Sequence, residues 1–416
     1  MNNYNKFSNQ LKAILINFSL KLSKDIGKVE MKFITDMIFG IVKSNSIMLS
    51  NIARALNEKI KLKDTIDRLS KNLEHISNKL DTIWNNYYDG LTIEEDTIIN
   101  IDNSDIIKPK GKRFEDLDYV PDGSEEHKIE KGYYVSEIVM LNNDRPISLY
   151  SKIFSTLTKG FKSINDETLK GLNQVFKRFG NKGICVMDRG YDACVFLKYF
   201  LIKKWNFIIR GKKNRKVIFN GEKINIMELA NKFKGKVNIK LFLKGKKEKN
   251  VKCSCVRVKM PSINKYVNVI FVYFKTETGI FYTNKDITCK KDLIFIVNAY
   301  YKRWRVEEYF KFKKQQFDFE NIRVRSLNRI NALNTFLSLS ISSIETITRN
   351  KSNLLYFIYE ESKSIKNIIY FDLYRLASGI FSLLSHSVAG IRNLLLIKKR
   401  DNQISFFDLF KNFAET

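Results

Sequence analysis

Residues 1 to about 88 carry apolar side chains at every third or fourth position, beginning with Phe7 and Leu11. This spacing places the apolar side chains on one face of a helix, so the pattern predicts a helical N-terminal region. Within it, residues 46–56 and 65–69 are predicted to form two short helices joined by a polar turn. That arrangement fits a helix-turn-helix, and it fits an ordinary helical bundle nearly as well.

From residue 97 the apolar period changes to two, which is typical of half-buried strands. Three such strands are followed by helices and strands in alternation, and this order predicts an α/β fold with a ribonuclease-H-like core. The predicted strands are 97–101, 133–141, 145–150, 183–187 and 206–209, and the predicted helices are 166–179 and 193–203.

Residues 210–285 break this alternation with short strand-like runs separated by many lysines, which predicts a β-rich insertion with a basic face. The chain is then predicted to be mostly helical to its end. Residues 330–347 are apolar, but Asn and Ser interrupt them too often for a membrane span, so a buried core helix is expected. The predicted division is a helical N-terminal domain (1–88), a core (89–209 and 286–330), the insertion (210–285) and a helical C-terminal region (331–416).

The charge of the chain indicates a polyanionic partner. It has 73 Lys and Arg against 44 Asp and Glu, a formal net charge of +29. An excess of this size favours nucleic acid, because each neutralised phosphate releases condensed counterions. The alternative is a lysine-rich composition of the kind found in AT-rich genomes. With nucleic acid as the partner, the N-terminal helical domain is a candidate DNA-binding domain.

Cysteine and histidine usage gives no sign of a zinc site. The five cysteines lack paired spacing, and only three histidines are present. Reduced, buried thiols in a cytosolic protein are the expectation. The N-terminus is polar and does not resemble a signal peptide, and no membrane partner is expected.

Two aspartates occupy positions where α/β sheets place functional groups. Asp102 follows the first predicted strand, and Asp188 follows the strand 183–187. The carboxyl ends of strands are the usual ligand-binding edge of such sheets. Either aspartate could instead cap a helix or a turn, and Asp105 and Asp192 compete with them for the same role.

A third set of residues shares one face of a predicted helix. Tyr300, Arg303, Glu307 and Lys314 fall within an arc of roughly 60° at about 100° per residue. A tyrosine, two cations and a carboxylate on one stripe would suit a metal-bound phosphate. The alternative is a solvated face, since Arg303 and Glu307 form an i,i+4 pair.

The spacing Tyr-x2-Arg-x3-Glu-x6-Lys resembles the signature of the insertion-sequence-four family of DDE transposases. Asp102 in Ile-Asp-Asn-Ser-Asp-Ile and Asp188 in Val-Met-Asp-Arg-Gly-Tyr-Asp resemble the first and second aspartate motifs of that family. The resemblance is clearest over residues 98–330. It implies that Asp102, Asp188 and Glu307 are catalytic ligands of two Mg²⁺ ions, for which Mn²⁺ would substitute.

The same resemblance implies that Tyr300, Arg303 and Lys314 contact phosphates near the scissile bond. It implies a partner of double-stranded DNA, at terminal inverted repeats and at a target, and a homodimer in the DNA complex. Some relatives hold a flipped base with a Trp of the insertion, which this chain lacks there. A Phe or Tyr would have to replace it, so hairpin formation is left open; the candidates are Phe219, Phe242 and Tyr273.

A dense group of cations follows the strand 206–209. Arg210, Lys212 and Arg215 are predicted to bind the DNA backbone, and a solvated charge run is the alternative. The sequence therefore predicts a cut-and-paste transposase. Two other functions stay open: a catalytically inactive DNA-binding remnant or repressor, and a nuclease of the same fold that never joins ends.

Overall fold

The computed structural model describes residues 2–123, 125, 127–242, 248–349, 353–362, 371–387 and 391. The rest of the predicted C-terminal region, including residues 392–416, lies outside the described part of the chain, as does the Phe242 side chain.

Five helices form the N-terminal region, as the three-to-four period predicts. They are α1 (Asn2–Leu22), α2 (Lys28–Ser44), α3 (Leu49–Leu56), α4 (Leu62–Ile76) and α5 (Leu80–Tyr88). Helix α2 is buried along most of its length, because it packs against helices on several sides. At Gly40 a Cβ atom would lie 2.5 Å from the Ile52 side chain, so glycine permits the close approach of α2 and α3.

All the described strands belong to one sheet in the order β2-β3-β1-β5-β6-β12-β11-β10-β7-β8, with β4 paired to β3 and β9 paired to β10. The β1–β5 and β5–β6 pairs are parallel, and the other pairs are antiparallel. The strands are β1 (Ile98–Ile107), β2 (Asp118–Pro121), β3 (Ile129–Asn142), β4 (Arg145–Phe154), β5 (Ile184–Met187), β6 (Asn206–Arg210), β7 (Lys216–Phe219), β8 (Glu222–Asn225), β9 (Val237–Phe242), β10 (Glu248–Met260), β11 (Lys265–Tyr273) and β12 (Thr278–Thr283).

The β-rich insertion is not a separate layer. Strand β12 pairs with β6 at Tyr282 and Ile209, so strands β7 to β12 extend the sheet of the core. The mixed α/β class expected from the sequence is confirmed. The alternation of apolar residues could not indicate that the insertion and the core share one sheet, because this depends on pairing between segments far apart in the chain.

Helices cover both faces of the parallel strands. On one face α6 (Ile164–Phe179) and α7 (Cys194–Lys203) bury the apolar side chains of alternate strand residues, including Cys185 and Phe207. On the other face α9 (Lys290–Tyr301) packs against the intervening residues, including Val186 and Ile208. Burial on both faces is the usual state of parallel strands. A short helix α8 (Ile226–Lys232) lies within the insertion.

The remaining helices are α10 (Trp304–Gln316), α11 (Leu327–Arg349), α12 (Asn353–Glu361) and α13 (Leu373–Ser385). The predicted core helix corresponds to α11, which is buried almost throughout from Ile330 to Thr348. None of the helices in the described ranges is both long and apolar enough to cross a bilayer.

A fully buried ion pair joins α10 to the sheet. Lys313 Nζ lies 2.8 Å from Glu137 Oε2 of β3, and both side chains have no exposed surface. The ammonium group also donates to Ser151, Asn334 and Ser338. Burial lowers the pKa of Lys313 and the charge of Glu137 opposes that shift. The pair holds α10 in place against β3 of the sheet.

Candidate active site

Asp102 and Asp188 lie at matching positions on neighbouring parallel strands. The β1–β5 register ends with Asn100 opposite Val186, and each aspartate lies two residues farther along the chain, Asp188 just past the end of β5. Adjacent strands are about 5 Å apart. Because side chains alternate along a strand, both aspartates point to the face covered by α9.

Asp102 is not at the end of its strand, contrary to the prediction. Strand β1 continues to Ile107, because β3 pairs with it well beyond the last residue paired to β5. The functional edge is therefore the end of the parallel pairing and not the end of β1. Asp102 remains there because β5 stops at Met187, one residue before Asp188.

Asp188 also caps a turn, which was the alternative interpretation of this residue from the sequence. Its Oδ1 accepts a hydrogen bond of 2.7 Å from the Gly190 N–H at the start of the turn Arg189–Tyr191. A carboxylate has two oxygens and several acceptor sites. Capping this turn therefore does not prevent the same side chain from binding a cation or a substrate.

The predicted stripe of four residues is divided between two helices. Helix α9 ends at Tyr301 and α10 begins at Trp304, with Arg303 in the tight turn between them. Hydrogen bonds between residues three apart replace the α-helical pattern here: Arg303 N–H to the Tyr300 carbonyl at 2.9 Å and Val306 N–H to the Arg303 carbonyl at 3.0 Å. The expectation of a single straight helix was wrong at this point.

Arg303 connects two of the three predicted carboxylates. Its Nη1 lies 3.1 Å from Asp102 Oδ2, and its Nη2 donates to Glu307 Oε1. The Arg303 side chain is 17% exposed and that of Asp102 is 19% exposed, whereas Glu307 is 43% exposed. The arginine thus contacts a half-buried carboxylate of the sheet and a more exposed one of α10.

The pKa of Asp102 is raised to about 7, chiefly by burial; the charge of Arg303 opposes the rise, and the charges of Asp188 and Glu307 add to it. The repulsion indicates that all three carboxylates act on one region. Carboxylate oxygens are the hard ligands that Mg²⁺ prefers, so the donor set suits a divalent cation in chemical type. As the side chains are placed, no three Asp, Glu, His or Cys residues in the described part of the chain converge closely enough to share one metal ion. Metal ligation by these residues stays a prediction.

Tyr300 borders this cluster, whereas Lys314 lies away from it. Tyr300 is buried with its ring 4.2 Å from that of Phe281, centroid to centroid; burial raises its pKa, and the neighbouring Arg303 opposes that rise. Lys314 pairs with Asp105 at 2.9 Å and Glu320 at 3.1 Å. It follows Arg303 by eleven residues, roughly 16 Å along a helix, so it is placed to serve a different part of a bound substrate.

One comparison with known proteins gives a match to a family model. Residues 159–342 match the model of the transposase DDE domain. This similarity supports a function in DNA transposition. The matched segment includes Asp188 and Glu307 and begins after Asp102, so a catalytic role for Asp102 stays a prediction.

Among solved structures, the piggyBac transposase in its synaptic complex with hairpin DNA aligns with 98% of this chain and 82% of its own. The identity is 11% and the TM-score is 0.47. No curated protein matched the sequence.

The three cations that were predicted to bind the DNA backbone lie at the end of β6 or in the loop after it, and β6 is the strand that pairs with β5 next to Asp188. Because Met187 pairs with Ile209, Arg210 occupies the strand position beside Asp188, and its Nη2 lies 3.7 Å from Glu277. Lys212 is exposed in the following loop. Arg215 differs from both, since its guanidinium forms an ion pair with the buried Asp192 at 2.5 Å. The sequence could not distinguish Arg215 from the other two cations, because its buried partner Asp192 lies 23 residues away in the chain.

The sequence analysis missed Tyr191, which borders the carboxylate cluster. Its side chain is buried, and its pKa is raised first by burial and then by Asp102 and Asp188. Tyr191 belongs to the motif Asp-Arg-Gly-Tyr-Asp, in which the two aspartates alone were taken as candidates. By contrast, Phe219 packs on Phe233, and the Tyr273 hydroxyl donates to backbone carbonyls, so both are engaged within the insertion.

The raised pKa of Asp102 predicts a pH-dependent cost in stability. Between its ordinary value of 3.8 and about 7, the folded protein holds a proton that the unfolded chain has released. Stability therefore falls as pH rises through this interval. We expect Asp102→Asn to raise the melting temperature of the metal-free protein by a few degrees at pH 8. The gain should be much smaller at pH 5, where Asp102 is already protonated. Equal melting curves for both proteins at pH 8 would contradict the assignment of this cost to Asp102.

Proposed function

We propose that the protein is a cut-and-paste transposase with a ribonuclease-H-like catalytic core, acting at the ends of its own element. Asp102, Asp188 and Glu307 would hold two divalent metal ions, Mg²⁺ or Mn²⁺. The observation that carries the proposal is the in-register placement of Asp102 and Asp188 on parallel strands, with Arg303 linking Asp102 to Glu307. The parallel strands with helices on both faces support the fold assignment.

Each residue has a role that its position allows. When bound, two metal ions activate the attacking oxygen and stabilise the leaving oxygen of a phosphodiester. The Arg303 guanidinium, already among the carboxylates, would donate to a non-bridging phosphate oxygen in the bidentate manner typical of arginine. Tyr300 supports that position from the buried side, and Lys314 would contact a more distant phosphate.

Double-stranded DNA, as terminal inverted repeats and as target, would be the substrate, bound by a homodimer. The net charge of +29 supports a polyanionic partner. Helices α3 and α4 remain the candidate helix-turn-helix. They pack against α2 and each other, and Arg68 of α4 is held by Asp36 and Glu58. This packing fits both a DNA-binding unit and a bundle.

A strand-transfer assay tests the function. Purified protein, Mg²⁺ and a DNA fragment carrying the inverted repeats that flank the gene should yield cleaved ends and, with a target plasmid, joined products. EDTA and a fragment with scrambled ends should abolish both. Cleavage without joining would indicate a nuclease, and binding without cleavage would indicate an inactive remnant or a repressor.

Arg210 and Lys212, which lie near Asp188, predict how the affinity for DNA depends on salt. Each phosphate contact contributes about 0.9 to the slope of log affinity against log salt. We expect replacement of Arg210 and Lys212 by Met to weaken binding to all DNA sequences alike and to reduce the slope by about two units. The measurement is a binding titration at several salt concentrations. An unchanged slope in the folded double variant would move the main DNA contact to the N-terminal helices.

A further inference from the structure

We propose that Asp192 and Arg215 are positioning residues that fix a DNA-backbone contact at a set distance from Asp188. The inference rests on the proposed function, because it assigns a role in placing the phosphate that is cut. It changes the interpretation of Arg215, which the sequence grouped with the cations that bind DNA.

The pair joins the catalytic turn to the loop that follows β6. Asp192 lies four residues after Asp188, and its side chain is completely buried. Its Oδ2 accepts a 2.7 Å hydrogen bond from the Lys212 N–H, and its Oδ1 is 2.5 Å from Arg215 Nη2. The same guanidinium donates to the Asp192 carbonyl at 2.7 Å. One aspartate thereby holds both ends of the segment 212–215.

The beginning of the loop is fixed as well. The Gly211 N–H donates to the Ile280 carbonyl at 2.8 Å. A Cβ at Gly211 would lie 2.6 Å from the buried Tyr282 ring, so only glycine allows the loop to run this close to β12. A buried carboxylate that loses its partner strongly destabilises the fold around it. The loop is therefore held in one position relative to Asp188.

The outer side of this loop suits a phosphate. Lys212, Lys213 and Lys216 are exposed, whereas the Arg215 side chain is only 17% exposed. A cavity of about 380 Å³ lies beside the loop; Lys212, Lys216 and Lys223 line it, and so does the part of Arg215 that is not buried. The two kinds of cation have different roles. The exposed lysines bind the DNA backbone, and the inward-facing Arg215 fixes the position at which it is bound.

Cleavage at one phosphate requires the backbone to be held to within about 1 Å, and a misplacement of that size can cost about a hundredfold in rate. The loop is anchored to the turn that carries Asp188. A phosphate bound on the loop therefore sets which bond reaches the carboxylates.

The test compares Arg215→Met with the neighbouring Lys213→Met on end-labelled transposon-end DNA with Mg²⁺. Cuts are mapped at single-nucleotide resolution, and affinity is measured at several salt concentrations. We expect Arg215→Met to keep its salt slope, to cut at least tenfold more slowly at saturating DNA and to spread its cuts over adjacent phosphates. Lys213→Met should do the opposite, with a slope reduced by about one unit and cuts at the wild-type phosphate.

Arg215→Lys is the second variant, since it keeps the charge opposite Asp192 but cannot make both arginine contacts. We expect an unchanged salt slope and partial recovery of accurate cutting, so it carries the test if thermal melting shows that the Met variant is unfolded. Accurate wild-type cutting by folded Arg215 variants, or a salt slope reduced as in Lys213→Met, overturns the inference. If the wild-type protein itself never cuts, the proposed function fails instead.

Discussion

Asp188→Asn is expected to lower strand cleavage at the transposon end by a thousandfold or more, equivalent to about 4 kcal/mol of transition-state stabilisation, while binding to the same DNA changes little. An amide is a poorer ligand for a divalent cation than a carboxylate of the same shape. The Asn oxygen can still accept the hydrogen bond from Gly190 N–H that Asp188 accepts at 2.7 Å. The turn should therefore survive, which would not be assured with Asp188→Ala.

The measurement is a cleavage time course together with a gel-shift titration, and Asp105→Asn is the matched control. Asp105 lies on the same strand as Asp102 but pairs with Lys314 at 2.9 Å, away from the carboxylate cluster. We expect its loss in cleavage to be under tenfold. If Asp105→Asn is inactive and Asp102→Asn is active, the first carboxylate has been assigned to the wrong residue. Equal loss of binding and cleavage in folded Asp188→Asn would indicate a structural role.

Lys313→Met is expected to produce the largest loss of stability, about 3–5 kcal/mol, because it leaves the charge of Glu137 buried without its partner. Glu137 would keep only hydroxyl donors, from Ser148 and Ser151. Urea unfolding at pH 7 measures the change as a lower midpoint with an unchanged slope. Since α10 also carries Glu307, cleavage should fall with the folded fraction.

Lys311→Met is the control for this effect. Lys311 is on the same helix and is 55% exposed, with a 3.6 Å contact to Glu308, and exposed pairs contribute at most about 1 kcal/mol. The double variant Lys313→Met with Glu137→Gln should recover part of the loss, since no unpaired charge then remains. A midpoint for Lys313→Met equal to that of Lys311→Met would show that the buried pair has no net stabilising role.

Several elements could be predicted because their signals are local. The alternation of apolar residues located β3, β5 and β6 to within a few residues and the start of β1 to within one, and the three-to-four period predicted the N-terminal helices. Each side chain's face is determined by the repeat of its own segment. The chemistry of the site was accessible for a similar reason, since aspartates after buried strands tend to meet at one edge of a sheet.

The structural surroundings of Asp102 and Arg303 could not be predicted from the residues next to them in the sequence. Strand β1 continues past Asp102 because β3 pairs with it, and pairing is a property of two segments and not of one. The turn between α9 and α10 contains neither Gly nor Pro, and its tightened hydrogen bonds arise from packing of two helices on the sheet. The stripe of four residues was therefore interpreted as continuous.

The α/β class, the basic character of the chain and the three candidate carboxylates could be predicted from the sequence, because composition and periodicity are properties of the chain itself. Which cations face solvent depends on the tertiary structure. Lys313 and Arg215 look in the sequence like their exposed neighbours Lys311 and Lys216, but each is held by a distant buried carboxylate, Glu137 or Asp192. The physical reason is that an ion pair depends on distance in space, and distance in space between such residues is set only when the sheet and its helices have packed.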